Sequence, residues 1–258
     1  MSQDAIAIPV QPRPLPCVGG VARQVLSVLS SELRLIYPDM PPRALVRYLD
    51  QMQAALTQAN PGIVLELLNQ MRGSGIRDAD IADFYIPVVA RRLGEGWTED
   101  TLEFTQVTVA MANLHVMLRS LDASWCTPER APFGTRGEIC IIVPEGVQHS
   151  LGASILAGQM RRAGYDVMLG SNLSLDKIGQ FVSSPATMGV MVSATLWEPL
   201  DFLRAVVKKV RAANPWVPVL VGGNVLERDC DLCVEIGADH ATNDWQSALS
   251  FCAHRVDP

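Results

Sequence analysis

From residue 21 to about residue 121 the apolar positions recur with a helical period, and from residue 137 that period gives way to short apolar runs alternating with helical stretches. Val21–Tyr37 has apolar residues at 21, 25, 26, 28, 29, 33, 35 and 36, a wide apolar face that Pro38, Pro41 and Pro42 end. Four more helices are predicted over Arg43–Gln58, Gly62–Arg72, Asp78–Leu93 and Thr101–Leu121. Asn60-Pro61, Gly73-Ser74-Gly75 and Gly94-Glu95-Gly96 punctuate them. Four helices with such short connections make an antiparallel bundle. The 21–37 helix is surplus to that set, so its apolar face has to pack on the bundle or on another protein.

The second half reads as five strand–helix units. Strand 137–143 (GEICIIV) leads to helix 151–163, strand Asp166–Leu169 to helix Leu175–Val182, and strand Met188–Ser193 to helix Pro199–Ala213. Strand Val217–Val221 precedes helix Glu227–Ile236, and a short strand near His240–Thr242 precedes helix Trp245–His254. Parallel strands need crossover helices, so the fold class is α/β, a helical bundle followed by a doubly wound five-stranded parallel sheet with right-handed connections. The domains expected are a proline-rich flexible arm over 1–20, a bundle over 21–123, a linker over 124–136 and the sheet domain over 137–258.

Composition narrows the function. The 258 residues carry a net charge of −6, which offers no field for nucleic acid, and neither a basic helix nor zinc-finger spacing occurs. No apolar run reaches the roughly 18 residues of a membrane span, and the start lacks a secretion signal. Six cysteines spread through the chain do not form a disulfide framework, which points to a reducing cytoplasm.

Chemistry gathers in three loops at the carboxyl ends of strands, where open α/β sheets bind ligands. The first is Glu145-Gly-Val-Gln-His149-Ser-Leu-Gly152, whose imidazole can reach a metal while the glycine admits a bulky group. The second is Ser193-Ala-Thr195-Leu196 and the third Gly222-Gly223; small residues there predict a deep slot between strands. Elsewhere, Cys230-Asp-Leu-Cys233 has redox or half-zinc spacing but falls in a predicted helix, where such cysteines usually pack. His240 and His254 stand at the C-terminal edge without recognisable partners, and Glu227-Arg228-Asp229 reads as a solvated helix start.

The three loops in this order resemble the cobalamin-binding domain family, a four-helix cap before a flavodoxin-like, Rossmann-type sheet. The resemblance spans about residues 43–254 and implies that His149 is the lower cobalt ligand. It further implies that Ser193, Gly222 and Gly223 line the channel of the nucleotide tail, that Gly152 and Thr195 also bind the cofactor, and that Trp97 covers the upper face of the corrin. Two positions depart from the family pattern. Val147 replaces the aspartate that orients the histidine, with Glu145 as the candidate substitute, and the serine-motif leucine is displaced to Leu196. Related sensor domains bind haem, which is therefore the alternative to adenosyl- or hydroxocobalamin. Light sensors of this family carry Glu-His where Val107-Thr108 stand here, so that upper ligand is absent, and His115, one heptad on, reads as a half-buried bundle histidine. The run from Gln148 to Gly164 and the stretch Glu103–Ala110 are most similar to the AerR/PpaA group of cobalamin-binding antirepressors. That likeness implies a light- or redox-responsive, non-enzymatic regulator of photosynthesis genes, which binds a PpsR/CrtJ-type repressor and not DNA. A corrinoid methyl carrier and a haem-binding or cofactor-free partner module are the alternatives.

Overall fold

The structure, a computed structural model, describes residues 42–121, 123–127, 136–146 and 150–256. The expected arm over 1–20, the 21–37 helix and residues 128–135 of the expected linker lie outside these residues. The chain divides by packing into two compact units, Met1–Leu67 with Val88–Asn113, and Leu68–Pro87 with Leu114–Pro258. The division falls within the helices Pro61–Gly73, Ile86–Thr98 and Phe104–Arg119.

In the first unit, helix Pro42–Leu56 buries Leu49, Met52, Ala55 and Leu56, four residues on one helical face. Val64, Val89, Leu93 and Ala110 from the other helices are fully buried as well. The buried Asn113 side chain donates to the carbonyls of Leu56 (2.8 Å) and Gln58 (2.9 Å), satisfying the end of the first helix. Asn113→Ala is expected to lower stability by about 1–3 kcal/mol, because it orphans two carbonyls, and urea denaturation checks this.

The Gly94-Glu95-Gly96 break expected from sequence does not occur: these residues lie inside helix Ile86–Thr98. The turn comes later, at Asp100 (φ 55°), where Thr101 and Leu102 N–H both donate to the Gly96 carbonyl at 2.9 Å. A side chain at Gly96 would meet Leu102 Cδ1 at 2.8 Å, so glycine here serves close packing of the turn on the helix.

The second unit is built on five parallel strands in the order β2-β1-β3-β4-β5. They are β1 Glu138–Pro144, β2 Asp166–Leu173, β3 Thr187–Ser193, β4 Val219–Gly222 and β5 His240–Ala241. Alternation along the strands separates two cores. Cys140, Ile142, Val190, Val192, Val219 and Val221 face helices Leu175–Phe181, Leu200–Ala213 and Leu232–Ile236. Ile139, Ile141, Val143, Met191 and Leu220 face helices Leu151–Arg162 and Trp245–Val256. Burial on both faces explains why β1 is a continuous apolar run.

β2 runs four residues beyond its expected end at Leu169. The expected strand stops just before Gly170. In the sheet, however, a Cβ on Gly170 would lie 2.4 Å from Leu173 Cδ1 and 2.8 Å from Phe181 Cζ, so the glycine makes room for packing.

Between the helical segments and the sheet of this unit runs a polar connection. Residues Ile81–Tyr85 form a π-helical turn, and its Asp83 accepts from Arg162 and, at 3.2 Å, from Gln159. Arg162 also donates to the Trp125 carbonyl at 2.8 Å. Trp125 falls in the expected linker, yet it sits in a 3₁₀ turn, Ala123–Cys126, buried against Gly158. A Cβ at Gly158 would stand 2.1 Å from the indole, so the glycine makes the seat for that ring.

Candidate cofactor site at the carboxyl edge of the sheet

The strand order makes the chain leave β1 toward β2 on one side and return to β3 on the other. The loops after β1 and β3 therefore part, opening the crevice in which doubly wound sheets place their ligands.

The loop after β1 starts at Glu145-Gly146, pinned by the extended tip of β2. Glu145 N–H donates to the Leu173 carbonyl (2.9 Å), and Gly146 N–H to Asn172 Oδ1 (3.3 Å). Gly146 (φ 83°) and Asn172 (φ 55°) both have left-handed backbones, which glycine and asparagine tolerate best. Val147, Gln148 and His149 lie outside the described residues. The chain is described again from Ser150, and Gly152 stands exposed in the first turn of helix Leu151–Arg162, with open space where a Cβ would be.

The loops after β3 and β4 are brought together. Ser193 pairs with Gly222 across the strands, and Ala194 N–H donates to the Gly222 carbonyl at 2.9 Å. A Cβ at Gly223 (φ 107°) would lie 2.1 Å from the Ala194 carbonyl oxygen, and one at Gly222 would lie 2.8 Å from that of Thr242. The room beside the glycine pair is thus filled by the chain's own backbone, where the sequence reading expected a slot. Their absent side chains let three loops close on one another. Asn243 completes the closure, accepting from Gly223 N–H (2.6 Å) and donating to its carbonyl (3.3 Å).

Thr195 and Ser193 differ in availability. Thr195 is buried; its hydroxyl donates to Glu198 Oε1 (2.8 Å) and accepts from Trp197 N–H (3.3 Å), so it is committed to shaping its loop. The half-buried Ser193 hydroxyl has no hydrogen bond among the described residues, which leaves it a free polar group at this edge. Arg228 donates to the carbonyls of Leu196 and Glu198 (the latter at 2.6 Å), and Leu196 N–H donates to Asn224 Oδ1 at 3.2 Å. Between these clamped neighbours Trp197 is 79% exposed. Asn172, Glu198, Arg228 and Asn243 hold the edge, yet the sequence reading singled out none of them for it. Only the proximity of Trp197-Glu198 to the serine motif could have signalled them.

Trp97 belongs to the first unit, 47% exposed, with its ring 6.4 Å from that of the exposed Phe104 in a tilted pair. His115 is half-buried, and burial, aided by the Arg119 charge, lowers its pKa below the usual imidazole value, so it is neutral at pH 7. The histidines expected to lack partners have them: His240 stacks on Phe251 (4.9 Å) and approaches Ser247 Oγ, and His254 contacts the Ser250 carbonyl. Glu227 ends a 3₁₀ turn, Asn224–Glu227, and the next helix begins only at Leu232, capped by Asp231. Cys230 therefore precedes the helix and is exposed, in place of the packed helical position expected. Among the described residues no three metal-ligating side chains gather.

Residues 137–247, which take in nearly all of the sheet-bearing region, match the family described as B12 binding domain. A curated relative, an uncharacterised 20.5 kDa protein from the bchF–crtJ intergenic region of Rhodobacter capsulatus, is 26% identical over 185 residues. That match covers 71% of this chain and 96% of the relative. The monomethylamine corrinoid protein of Methanosarcina barkeri shares the fold, with a TM-score of 0.61 at 16% identity over 81% of this chain and 98% of that one.

The chemistry of the edge fits the cofactor of that family. The helix start at Gly152 has open space, and the Ser193 hydroxyl makes no hydrogen bond among the described residues, which leaves room and a polar group for a large cofactor. Bound at this edge, the cofactor would supply a cobalt centre able to exchange a ligand.

Proposed function

We propose that this chain is a cobalamin-responsive regulator, without enzymatic activity of its own, that works by binding a transcriptional repressor of the PpsR/CrtJ type. The observation that carries the reading is the relative from the bchF–crtJ intergenic region, matched over 96% of its length. A likeness over nearly the whole relative extends beyond the B12 binding domain into the helical segments, which favours a shared role over a shared module. In this reading His149 would hold the cobalt, and Ser193 and Gly152 would border the cofactor. The cofactor held there would supply a light- or redox-sensitive cobalt centre, and His149 and Ser193 would pass its state to the surface offered to the repressor. The output is a shift between two association states.

An absorption spectrum after mixing with hydroxocobalamin and desalting tests the cofactor. Retained corrin bands are expected, with retention in His149→Ala lower by about tenfold or more. Unchanged retention in that variant removes His149 as ligand, and no corrin in the native chain transfers the reading to haem or to a cofactor-free module. The methyl-carrier reading is separated by function, since a carrier supports methyl-donor-dependent turnover with a methyltransferase. The regulator instead captures the repressor with an affinity that changes on illumination of the adenosylcobalamin form.

A further inference from the structure

The cysteines differ sharply in what their surroundings allow. Burial pushes the thiols of Cys140 and Cys252 up to about 11 and about 12, which leaves them inert core residues. Cys230 is exposed where the chain bends before helix Leu232–Ile236, and Cys233 is half-exposed in the first turn of that helix. Two accessible thiols, three positions apart across a bend and a first helical turn, have the spacing at which a short disulfide ring closes. No third metal ligand joins them among the described residues.

The pair is also wired to the candidate site. Two residues before Cys230 stands Arg228, whose guanidinium holds the carbonyls of Leu196 and Glu198. Those two residues flank Trp197 on the loop after β3, which carries Thr195 and directly follows Ser193. On the other side of the pair, Asp231 caps the helix by accepting from Val234 N–H at 3.2 Å. Closing a ring over Cys230–Cys233 constrains the backbone that sets both the cap and the reach of Arg228.

We propose that Cys230 and Cys233 form a reversible thiol–disulfide pair whose state repositions Arg228 and, through it, the loop after β3. The oxidant is a low-molecular-weight disulfide such as glutathione disulfide. The Cys230 thiolate attacks one sulfur of it, forming a mixed disulfide and releasing one glutathione thiolate. The Cys233 sulfur, having lost its proton to solvent, then attacks Cys230 Sγ and expels the second glutathione. Two protein thiols and one small disulfide become one protein disulfide and two glutathione thiols, a two-electron exchange. Cys230, the more exposed of the two, is the first attacker, while burial and the Asp231 and Asp239 charges raise the Cys233 pKa.

The test equilibrates the full chain in glutathione buffers from reduced to oxidised, alkylates the free thiols and maps them by mass. In parallel, the chain is labelled with 5-fluorotryptophan, and the Trp197 resonance is assigned from Trp197→Phe. The expected result is joint loss of Cys230 and Cys233 alkylation, reversed by dithiothreitol, with a shift of the Trp197 resonance that tracks it. Cys233→Ser should trap a glutathione adduct on Cys230, and Arg228→Lys should keep the disulfide but lose the Trp197 shift. Both thiols staying alkylatable in oxidised glutathione overturns the proposal. So does a disulfide that leaves the Trp197 resonance unmoved.

Discussion

Replacing Gly223 with alanine is expected to destabilise the sheet-bearing unit by about 3–5 kcal/mol, among the largest effects of any single methyl group. Two costs combine. The backbone there has φ 107° and ψ −173°, a region that is essentially glycine-only. The added Cβ would also lie 2.1 Å from the Ala194 carbonyl oxygen, a backbone atom that cannot rotate away. Relief requires the loops after β3 and β4 to separate. That breaks the Asn243 pairing with Gly223 and the Ala194–Gly222 hydrogen bond. Urea denaturation measures the loss directly. Corrin retention, measured where the variant is still folded, should fall with it, because Ser193 sits opposite Gly222 in the same register. A variant with native stability would show that the loops yield easily and that the closeness of this edge is not needed.

Removing the partner of Asp83 is the second large effect. Burial raises the Asp83 pKa although Arg162 and Gln159 oppose it, so the carboxylate depends on its guanidinium partner. Arg162→Ala is expected to cost about 2–3 kcal/mol at pH 7, below the value for fully buried pairs because both side chains are partly open to water. Asp83→Asn should cost about 1 kcal/mol, since a neutral amide keeps hydrogen bonding without an uncompensated charge. The pH dependence has a definite sign. A carboxyl whose folded pKa exceeds its unfolded value destabilises the fold when it is charged. The penalty in Arg162→Ala is therefore full above the folded pKa and disappears as pH falls below the unfolded value. Thermal melts of Arg162→Ala and of Arg162→Ala/Asp83→Asn across acid pH check this, and the double variant should lose most of the pH dependence.

Alternation, period and punctuation determined the sheet domain. A strand buried on both faces must be apolar at every position, and Ile139–Val143 is readable for that reason without any contact information. The helices between the strands follow from their one-sided apolar faces and from the requirement of parallel strands for crossovers. The all-parallel order β2-β1-β3-β4-β5, with its switch point between β1 and β3, agrees with that reading.

What only the tertiary structure decided are the places where a residue type has two uses. Gly94 and Gly96 read as a break, because glycine in a helix costs about 1 kcal/mol, but packing of Leu102 and the following turn on Gly96 offsets that cost. Gly170 read as the end of β2, and Gly222-Gly223 as an open slot. In the fold each is a close approach by Leu173, by Thr242 and by Ala194 respectively. Sequence marks a missing side chain but cannot say whether ligand, side chain or backbone fills the space. Cys230 and Cys233 show the same limit, because a cap at Asp231, four residues past the expected helix start, moves one thiol from a buried face to solvent. Local pattern sets which elements form, while long-range contacts set where they stop and what occupies the gaps.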